Sequence, residues 1–267
     1  MLDFSKEVVL VTGGATGIGF GIVQSFLEAG ARVVIGDIRQ AALDGAVARL
    51  GSGDRVFAGT VDVRDGVSVD RFLTLAEAAL GPVSVVVANA GVYPNTLVLE
   101  MTEKEWDEVM DVNARGVFLT CQAVARRMVG RGAGGRIITI ASASAWSGRR
   151  GAAHYCASKA AVVMFTKVLA LELAQNRINV NAISPGLVDT QSEISPMSRE
   201  YIETLSRTIP WGRIATPQDI AKAAMFLASP LAEYVTGEVL SVDGGAGAGR
   251  TSLPSSTPQP QQSVGRV

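Results

Sequence analysis

Short apolar runs alternate with longer amphipathic segments along almost the whole chain. Seven runs are predicted to be buried strands: Val8–Thr12, Arg32–Asp37, Val56–Thr60, Val83–Ala88, Arg136–Ile140, Ile178–Ile183 and Val239–Val242. The segments between them are predicted to be helices: Gly17–Glu28, Gln40–Leu50, Val67–Leu80, Thr102–Asn113 continuing towards Met128, Ala153–Ala174, Ser198–Ser206 and Pro217–Leu227. Such alternation predicts an α/β fold, a doubly wound parallel sheet of about seven strands with helices on both faces.

A glycine-rich turn, TGGATGIG, joins the first strand to the first helix. Its glycines allow backbone N–H groups to approach a pyrophosphate, which the helix N-terminus then stabilises. The predicted cofactor-binding residues of this turn are Gly13, Thr16, Gly17, Ile18 and Gly19. The spacing is G-x-x-x-G-x-G and not the commoner G-x-G-x-x-G, and a purely structural loop is the alternative interpretation.

Asp37 ends the second strand and is placed to accept hydrogen bonds from the adenosine ribose hydroxyls. Its charge would repel a 2′-phosphate, and Thr16 offers that phosphate no cation, so NAD is favoured over NADP. Arg39 could still turn towards a 2′-phosphate, and Asp37 could simply cap the strand end. Further cofactor contacts are predicted from Asp62 and Val63 after the third strand and from Asn89, Ala90 and Gly91 after the fourth.

Tyr155 and Lys159 are four residues apart in a predicted helix and therefore share one face. A free tyrosine has a pKa of about 10, and a neighbouring cation stabilises the phenolate and lowers that value. Ser142 directly follows the fifth strand, which brings a hydroxyl to the same sheet edge.

These motifs together resemble the short-chain dehydrogenase/reductase family in its single-domain, Rossmann-like form. The resemblance covers about Ser5 to Gly245 and includes ANAG at Ala88–Gly91, PGLVDT at Pro185–Thr190 and VDGG at Val242–Gly245. It departs from the family's usual pattern at Ala88 and Ala141, which often are asparagine and serine.

The resemblance implies hydride transfer between a nicotinamide and an alcohol–carbonyl pair. Tyr155 would exchange the proton of the substrate oxygen, Ser142 would orient that oxygen, and Lys159 would lower the Tyr155 pKa and hold the nicotinamide ribose. Asn113 would fix a water that links Lys159 to solvent. Residues implied at the nicotinamide end are Pro185, Gly186, Val188 and Thr190.

The substrate pocket is predicted less sharply, from residues that follow strands or flank Tyr155: Tyr93, Ser144, Trp146, His154, Leu187 and Met197. His154 is more simply interpreted as a packed or surface residue. Arg149 and Arg150 could bind an anionic substrate, but a solvated charged turn is the simpler interpretation. Leu187–Trp211 is predicted to form a lid over the site.

Composition narrows the class of protein. The 267 residues are 48% hydrophobic with a formal net charge of -1, so no basic surface for nucleic acid is expected. One histidine and two cysteines make a metal centre unlikely in this chain, and we expect none. The sequence has no apolar run long enough to span a bilayer and no apparent signal peptide, which indicates a cytoplasmic protein without a membrane partner. Residues 1–246 are predicted to form one catalytic domain, and 247–267 a flexible Pro/Ser/Gln-rich tail.

The favoured function is an NAD-dependent oxidoreductase that interconverts a small secondary alcohol and its ketone. A 3-oxoacyl thioester reductase is the alternative, although that role usually uses NADPH, and a non-catalytic nucleotide sensor is a more remote one. Relatives of this length usually form homotetramers, and a dimer is also compatible with the sequence. Substrate, stereochemistry, direction and the role of the tail stay open.

Overall fold

The structure is a computed structural model that describes residues 2–51, 53–190 and 198–249. Its seven strands are β1 Val8–Thr12, β2 Arg32–Asp37, β3 Val56–Thr60, β4 Val85–Ala88, β5 Gly135–Ile140, β6 Ile178–Pro185 and β7 Val239–Val242. Its α-helices are α1 Gly17–Glu28, α2 Gln40–Leu50, α3 Gly66–Leu80, α4 Glu103–Met110, α5 Gly116–Arg131, α6 Ala153–Leu173, α7 Arg199–Ser206 and α8 Pro217–Ala228.

The strands form one parallel sheet in the order β3-β2-β1-β4-β5-β6-β7. This confirms the predicted doubly wound architecture. The strand order reverses at β1, which pairs with β2 on one side and with β4 on the other. Loops leaving the carboxyl ends of β1 and β4 therefore diverge there and open a crevice, the usual ligand site of such sheets.

Each face of the sheet is covered by its own set of helices. Along β1, Val8 and Leu10 pack on the face that α3, α5 and α6 cover, whereas Val9 and Val11 pack on the face of α1, α2 and α8. All five β1 side chains, including that of Thr12, are buried. This two-sided burial explains why the strand is continuously apolar and does not alternate with polar residues.

The predicted continuous helix from residue 102 to residue 128 is wrong in its middle. Residues Asp111–Arg115 form one turn of π-helix between α4 and α5. The turn holds Asn113 fully buried, and such single π-turns occur often at functional sites. The other boundaries differ from the prediction by a few residues; β4, for example, begins at Val85 and not at Val83.

Parts of the predicted lid and tail lie outside the described residues. Residues 191–197, which include Met197, and residues 250–267 fall there. The described start of the lid segment is fixed, since Val188 forms a parallel bridge with Ala215 and the Ala215 N–H donates to the Leu187 carbonyl at 2.9 Å. Among the helices of the described ranges, none is both long and apolar enough to cross a membrane.

Candidate functional site

The glycine-rich turn after β1 contains positions that only glycine fits. Gly13 has φ +62°, and a Cβ there would lie 2.8 Å from the Ala90 Cα. A Cβ on Gly19 would collide with the Gly13 carbonyl and lie 2.7 Å from the Asn89 side chain. The turn is therefore packed tightly against the end of β4, with its backbone free of side chains.

Asn89 fastens this turn to β4. Its side-chain amide donates to the Thr12 and Gly13 carbonyls, both at 3.0 Å. In return, the Thr12 hydroxyl accepts from the backbone N–H groups of Asn89 and Ala90 at 3.1 and 3.3 Å. Asn89 was predicted to contact the cofactor directly. The structure adds that its side chain holds the glycine-rich turn, a role that the sequence pattern did not indicate.

The N-terminus of α1 faces the crevice without a side-chain cap. Thr16 is the N-cap residue, but its side chain caps no α1 amide, and the first turn contains no acidic residue. Uncapped N–H groups and the positive end of the helix dipole suit a phosphate group. Thr190 approaches from the other side, where its side chain lies 3.3 Å from the Cβ position of Gly17.

Asp37 lies at the end of β2 with only 6% of its surface exposed. Its carboxylate accepts from the Arg39 backbone N–H at 3.1 Å and pairs with the Arg39 guanidinium at 3.4 Å. The same guanidinium donates to the Thr16 hydroxyl at 3.1 Å. Arg39 thus links Asp37 and Thr16, the two residues from which a preference for NAD was predicted. The sequence pattern did not indicate these contacts of Arg39.

Asp62 follows β3 and is already engaged by a neighbour. Its carboxylate pairs with Arg64 at 2.7 Å, and hydrogen bonds from Arg64 hold the pKa of Asp62 below its usual value. Arg64 was not foreseen. Val63 is buried against Gly116, where a Cβ would lie 2.6 Å from the valine side chain.

The catalytic candidates Ser142 and Tyr155 are brought together from the end of β5 and the first turn of α6. Burial raises the pKa of the Tyr155 phenol, while a hydrogen bond from the Ser142 side chain opposes that rise. The Ser142 hydroxyl also accepts the Ser144 backbone N–H at 3.1 Å. A hydroxyl and a phenol therefore converge where a substrate oxygen would bind.

Lys159 is buried one turn further along α6. Its ammonium donates to the Ile140 carbonyl at 2.8 Å and lies 5.8 Å from the centre of the Tyr155 ring. Because the charged form is desolvated, burial lowers the pKa of Lys159 to about 8. A Cβ on Gly91 would lie 3.7 Å from this ammonium, so the glycine keeps the loop after β4 close to it.

Asn113 ties three segments together. Its side chain accepts from the Val92 backbone N–H and donates to the Val92 carbonyl, both at 2.8 Å. It also donates to the Ser158 hydroxyl at 3.2 Å. The side chain therefore joins the π-turn to the loop after β4 and to α6, and it lies near Lys159 through their shared neighbour Gly91.

The predicted pocket residues fall into two groups. Tyr93, Trp146 and Leu187 expose large parts of their side chains, and Ser144 is half-buried near Ser142. His154 is fully buried, so of the packed and surface interpretations the packed one applies, and its ring accepts the Tyr155 backbone N–H at 2.9 Å. Its Nε2 has no hydrogen-bond partner among the described residues, and burial lowers the pKa of the imidazole.

The segment implied at the nicotinamide end, residues 185–190, is anchored to the sheet. The Gly186 N–H donates to the Val242 carbonyl at 3.0 Å, and a Cβ at Gly186 would lie 2.8 Å from the Asp243 Cβ. Pro185 ends β6, and Val188 is buried. Pro185, at the end of β6, and Gly186, Val188 and Thr190, which follow it, thus lie at the same sheet edge as Tyr155.

These residues fit a nicotinamide dinucleotide. The glycine turn offers a cradle that any Cβ would fill, the uncapped α1 terminus suits a pyrophosphate, and Asp37 is an acceptor for ribose hydroxyls. By contrast, the described residues contain no cluster of histidine, cysteine and carboxylate side chains that could hold a metal ion.

Comparison with known proteins agrees with this geometry. A family model described as Enoyl-(Acyl carrier protein) reductase matches residues 13–247. A galactitol 2-dehydrogenase (L-tagatose-forming) of Cereibacter sphaeroides is 42% identical over 240 residues, which are 88% of this chain and 92% of that protein. A 3-oxoacyl-[acyl-carrier-protein] reductase of Chlamydia muridarum is 39% identical over 242 residues, covering 90% and 97%.

Among solved structures, a short-chain type dehydrogenase/reductase from Mycobacterium marinum superposes with a TM-score of 0.80 at 36% identity, covering 91% of this chain and 96% of that one. Fold and site define an oxidoreductase that acts on an alcohol–carbonyl pair with a nicotinamide cofactor. The chain belongs to the short-chain dehydrogenase/reductase family.

The buried ammonium of Lys159 has a cost in stability that a substitution exposes. The native pKa of about 8 lies below the unfolded value of about 10.4. Between these values the unfolded chain binds more protons, so this group makes the free energy of unfolding rise with pH. We expect Lys159→Met to be more stable than the wild type near pH 7, with the difference shrinking above pH ~8, in urea denaturation at several pH values.

Lys167→Met is the matched control, because Lys167 is exposed on the same helix. A Lys159→Met variant that is no more stable than Lys167→Met at neutral pH would contradict the prediction.

Proposed function

We propose that the protein is an NAD-dependent oxidoreductase that interconverts a small secondary alcohol, of the polyol or cyclic type, and its ketone. The observation that carries the cofactor assignment is Asp37, a buried carboxylate at the end of β2. A carboxylate there accepts two ribose hydroxyls but repels a 2′-phosphate. The galactitol and sorbitol dehydrogenases among the relatives support the substrate class.

In the proposed reaction the bound nicotinamide supplies or accepts the hydride. Tyr155 removes the hydroxyl proton in oxidation and returns it in reduction, and Ser142 orients the same oxygen by hydrogen bonding. Lys159 favours the ionised phenol by its charge and holds the nicotinamide ribose. Asn113 helps the proton leave towards solvent through an ordered water beside Lys159.

A second candidate is a 3-oxoacyl thioester reductase that uses NADPH. Two observations favour it: several relatives carry that name, and the Arg39 guanidinium already pairs with Asp37. A neutralised Asp37 repels a 2′-phosphate less, and Arg39 itself would attract one. The two candidates differ in their cofactor, so cofactor binding separates them without knowledge of the substrate.

Asp37→Ala is expected to reverse the cofactor preference. The wild type should bind NADH more tightly than NADPH, and loss of the carboxylate should remove both the ribose contacts and the repulsion. We expect NADH binding to weaken by roughly tenfold and NADPH binding to tighten, as measured by fluorescence titration.

Asp54→Ala, at an exposed aspartate after α2, is the control and should bind both nucleotides as the wild type does. If the wild type prefers NADPH and Arg39→Ala abolishes that preference, the reductase is the better assignment.

Tyr155→Phe is expected to lose turnover while keeping the cofactor. Removing the phenolic hydroxyl eliminates the proton transfer, which should lower kcat by about 10²–10⁴-fold with a panel of polyols and cyclic alcohols. NADH binding should change little. Tyr234→Phe is the control, because Tyr234 is fully exposed on the surface. Retention of full activity by Tyr155→Phe would exclude this mechanism, whereas a wild type that binds NADH but turns over none of the panel would favour the nucleotide-sensor alternative.

The proposed assembly is a homotetramer in the cytoplasm, with a dimer as the alternative. Met164, Val168 and Leu171 follow one another at helical spacing on α6, and each leaves much of its apolar side chain exposed. Phe118 on α5 is also part-exposed and packs edge-to-face on Phe165 with ring centres 6.0 Å apart. A contiguous apolar face of this kind is typical of subunit contacts.

Leu171→Glu is expected to break this contact. The wild type should have a mass near four times 27.8 kDa in multi-angle light scattering, and the variant a smaller one. Leu171 is 81% exposed in the isolated chain, and Val67→Glu, at a 77% exposed valine on α3, is the matched control. A monomeric wild type, or equal masses for the wild type and Leu171→Glu, would contradict the proposal.

A further inference from the structure

Arg149 lies in a turn whose backbone is held from two sides. The Ala152 N–H donates to the Arg149 carbonyl at 3.1 Å, and Gly151 adopts φ +77° within the turn. The Thr96 N–H donates to the Gly151 carbonyl at 2.8 Å, which joins the turn to the loop after β4. The turn leads directly into α6, which begins two residues before Tyr155. The conformation of the turn therefore fixes the position of the Arg149 backbone relative to Tyr155.

The Arg149 side chain lies against the catalytic phenol. Its guanidinium carbon is 5.4 Å from the centre of the Tyr155 ring, and its Nη2 donates to the Asn95 Oδ1 at 3.2 Å. In the described part of the chain, no carboxylate is within ion-pair distance of Arg149. Among these described residues, nothing neutralises its positive charge. The solvated-turn interpretation is correct for the backbone but misses this contact.

Lys159 is a second cation beside the Tyr155 ring. The Lys159 ammonium lies 5.8 Å from the ring centre, and the Arg149 guanidinium carbon lies 5.4 Å from it. The ammonium also donates a hydrogen bond to the Ile140 carbonyl. The other titratable groups that face the phenol are Tyr93, from the loop after β4, and Cys156, on the same helix. Neither can supply a positive charge, so among the described residues Arg149 and Lys159 are the cations that lie beside the Tyr155 ring.

We propose that Arg149 is a positioning residue of the active site, a second cation that Asn95 holds beside Tyr155 so that the ionised phenol is favoured. The proposal rests on the proposed function only in taking Tyr155 as the group that exchanges the proton. It requires no particular substrate, cofactor preference or oligomeric state.

The electrostatics agree in direction with the geometry. Burial raises the pKa of Tyr155, which would make the phenol a poor base near neutral pH. After the Ser142 hydrogen bond, the charge of Arg149 is the influence that lowers this pKa, whereas Cys156 and Tyr93 raise it. Since Arg149 is largely exposed, solvent screens its effect, and a moderate change is expected on its removal.

The test is a titration of Tyr155 itself in the full-length protein, without substrate or cofactor. Tyrosinate absorbance is followed from about pH 8 to about pH 11, and the signal of a matched Tyr155→Phe variant is subtracted to remove the other three tyrosines. We expect Arg149→Met to raise the Tyr155 pKa by roughly 0.5 to 1, so that the tyrosinate fraction at a given pH falls about three- to tenfold. Circular dichroism at each pH checks that the fold persists.

Three further variants distinguish charge from structure. Arg150→Met removes the adjacent exposed arginine and should leave the Tyr155 titration unchanged. Arg149→Lys keeps a cation and should restore part of the wild-type pKa, whereas Asn95→Ala frees the guanidinium and should raise the pKa less than Arg149→Met does. Equal Tyr155 pKa values in the wild type and Arg149→Met, or equal increases in Arg149→Met and Arg150→Met, would overturn the proposal. Failure of the proposed function would show separately, as loss of nucleotide binding or as full activity in Tyr155→Phe.

Discussion

The side-chain amide of Asn89 is the contact on which the nucleotide-binding end of the molecule depends. A turn rich in glycine has few side chains to hold its shape, and conformational entropy favours a broad set of other backbone conformations. Asn89 compensates by donating to two consecutive carbonyls, those of Thr12 and Gly13, while Thr12 binds the backbone after β4 in return. The crevice between β1 and β4 is thereby fixed before any ligand arrives, which limits the ordering that binding must impose.

At the catalytic end, the side chain of a second asparagine also holds separate backbone segments together. Asn113 is fully buried, and its side-chain hydrogen bonds join two other segments to the π-turn: two bonds go to the Val92 backbone after β4, and one goes to Ser158 on the helix that carries Tyr155 and Lys159. Such a network holds a buried ammonium and a part-buried phenol near each other, although desolvation opposes the charged form of both. These desolvated groups lower the stability of the fold but have perturbed pKa values, a combination that is common at functional sites.

Much of the fold followed from local pattern. Strands buried on both faces are continuously apolar, so Val8–Thr12 and Arg32–Asp37 could be delimited from the sequence, and Tyr155 and Lys159 share a helix face by spacing alone. The π-turn could not be predicted, because the apolar period around Asn113 differs too little from that of an α-helix. Nor could the contact of Arg149 with Tyr155, since it depends on a turn conformation and on Asn95, more than fifty residues away in sequence.

The pairing of Arg39 with Asp37 escaped prediction for a related reason. The two residues are near in sequence, but only the folded turn decides whether a long, flexible side chain points to its neighbour, to Thr16 or to solvent. Sequence spacing specifies which groups reach the carboxyl edge of the sheet, while tertiary packing specifies which of them pair. For this reason the reaction class was easier to infer than the cofactor or the substrate.

The π-turn at Asp111–Arg115 also restricts how this stretch of chain can change its length. A π-turn contains one residue more than the α-helical turn it replaces. Deleting a single residue there would restore a regular α-helix with α4 and α5 still nearly in phase, because the wider turn is what accommodates the extra residue. The deletion would, however, remove the wide turn that places Asn113 against Val92 and Ser158, so this stretch should tolerate substitutions far better than single-residue deletions during evolution.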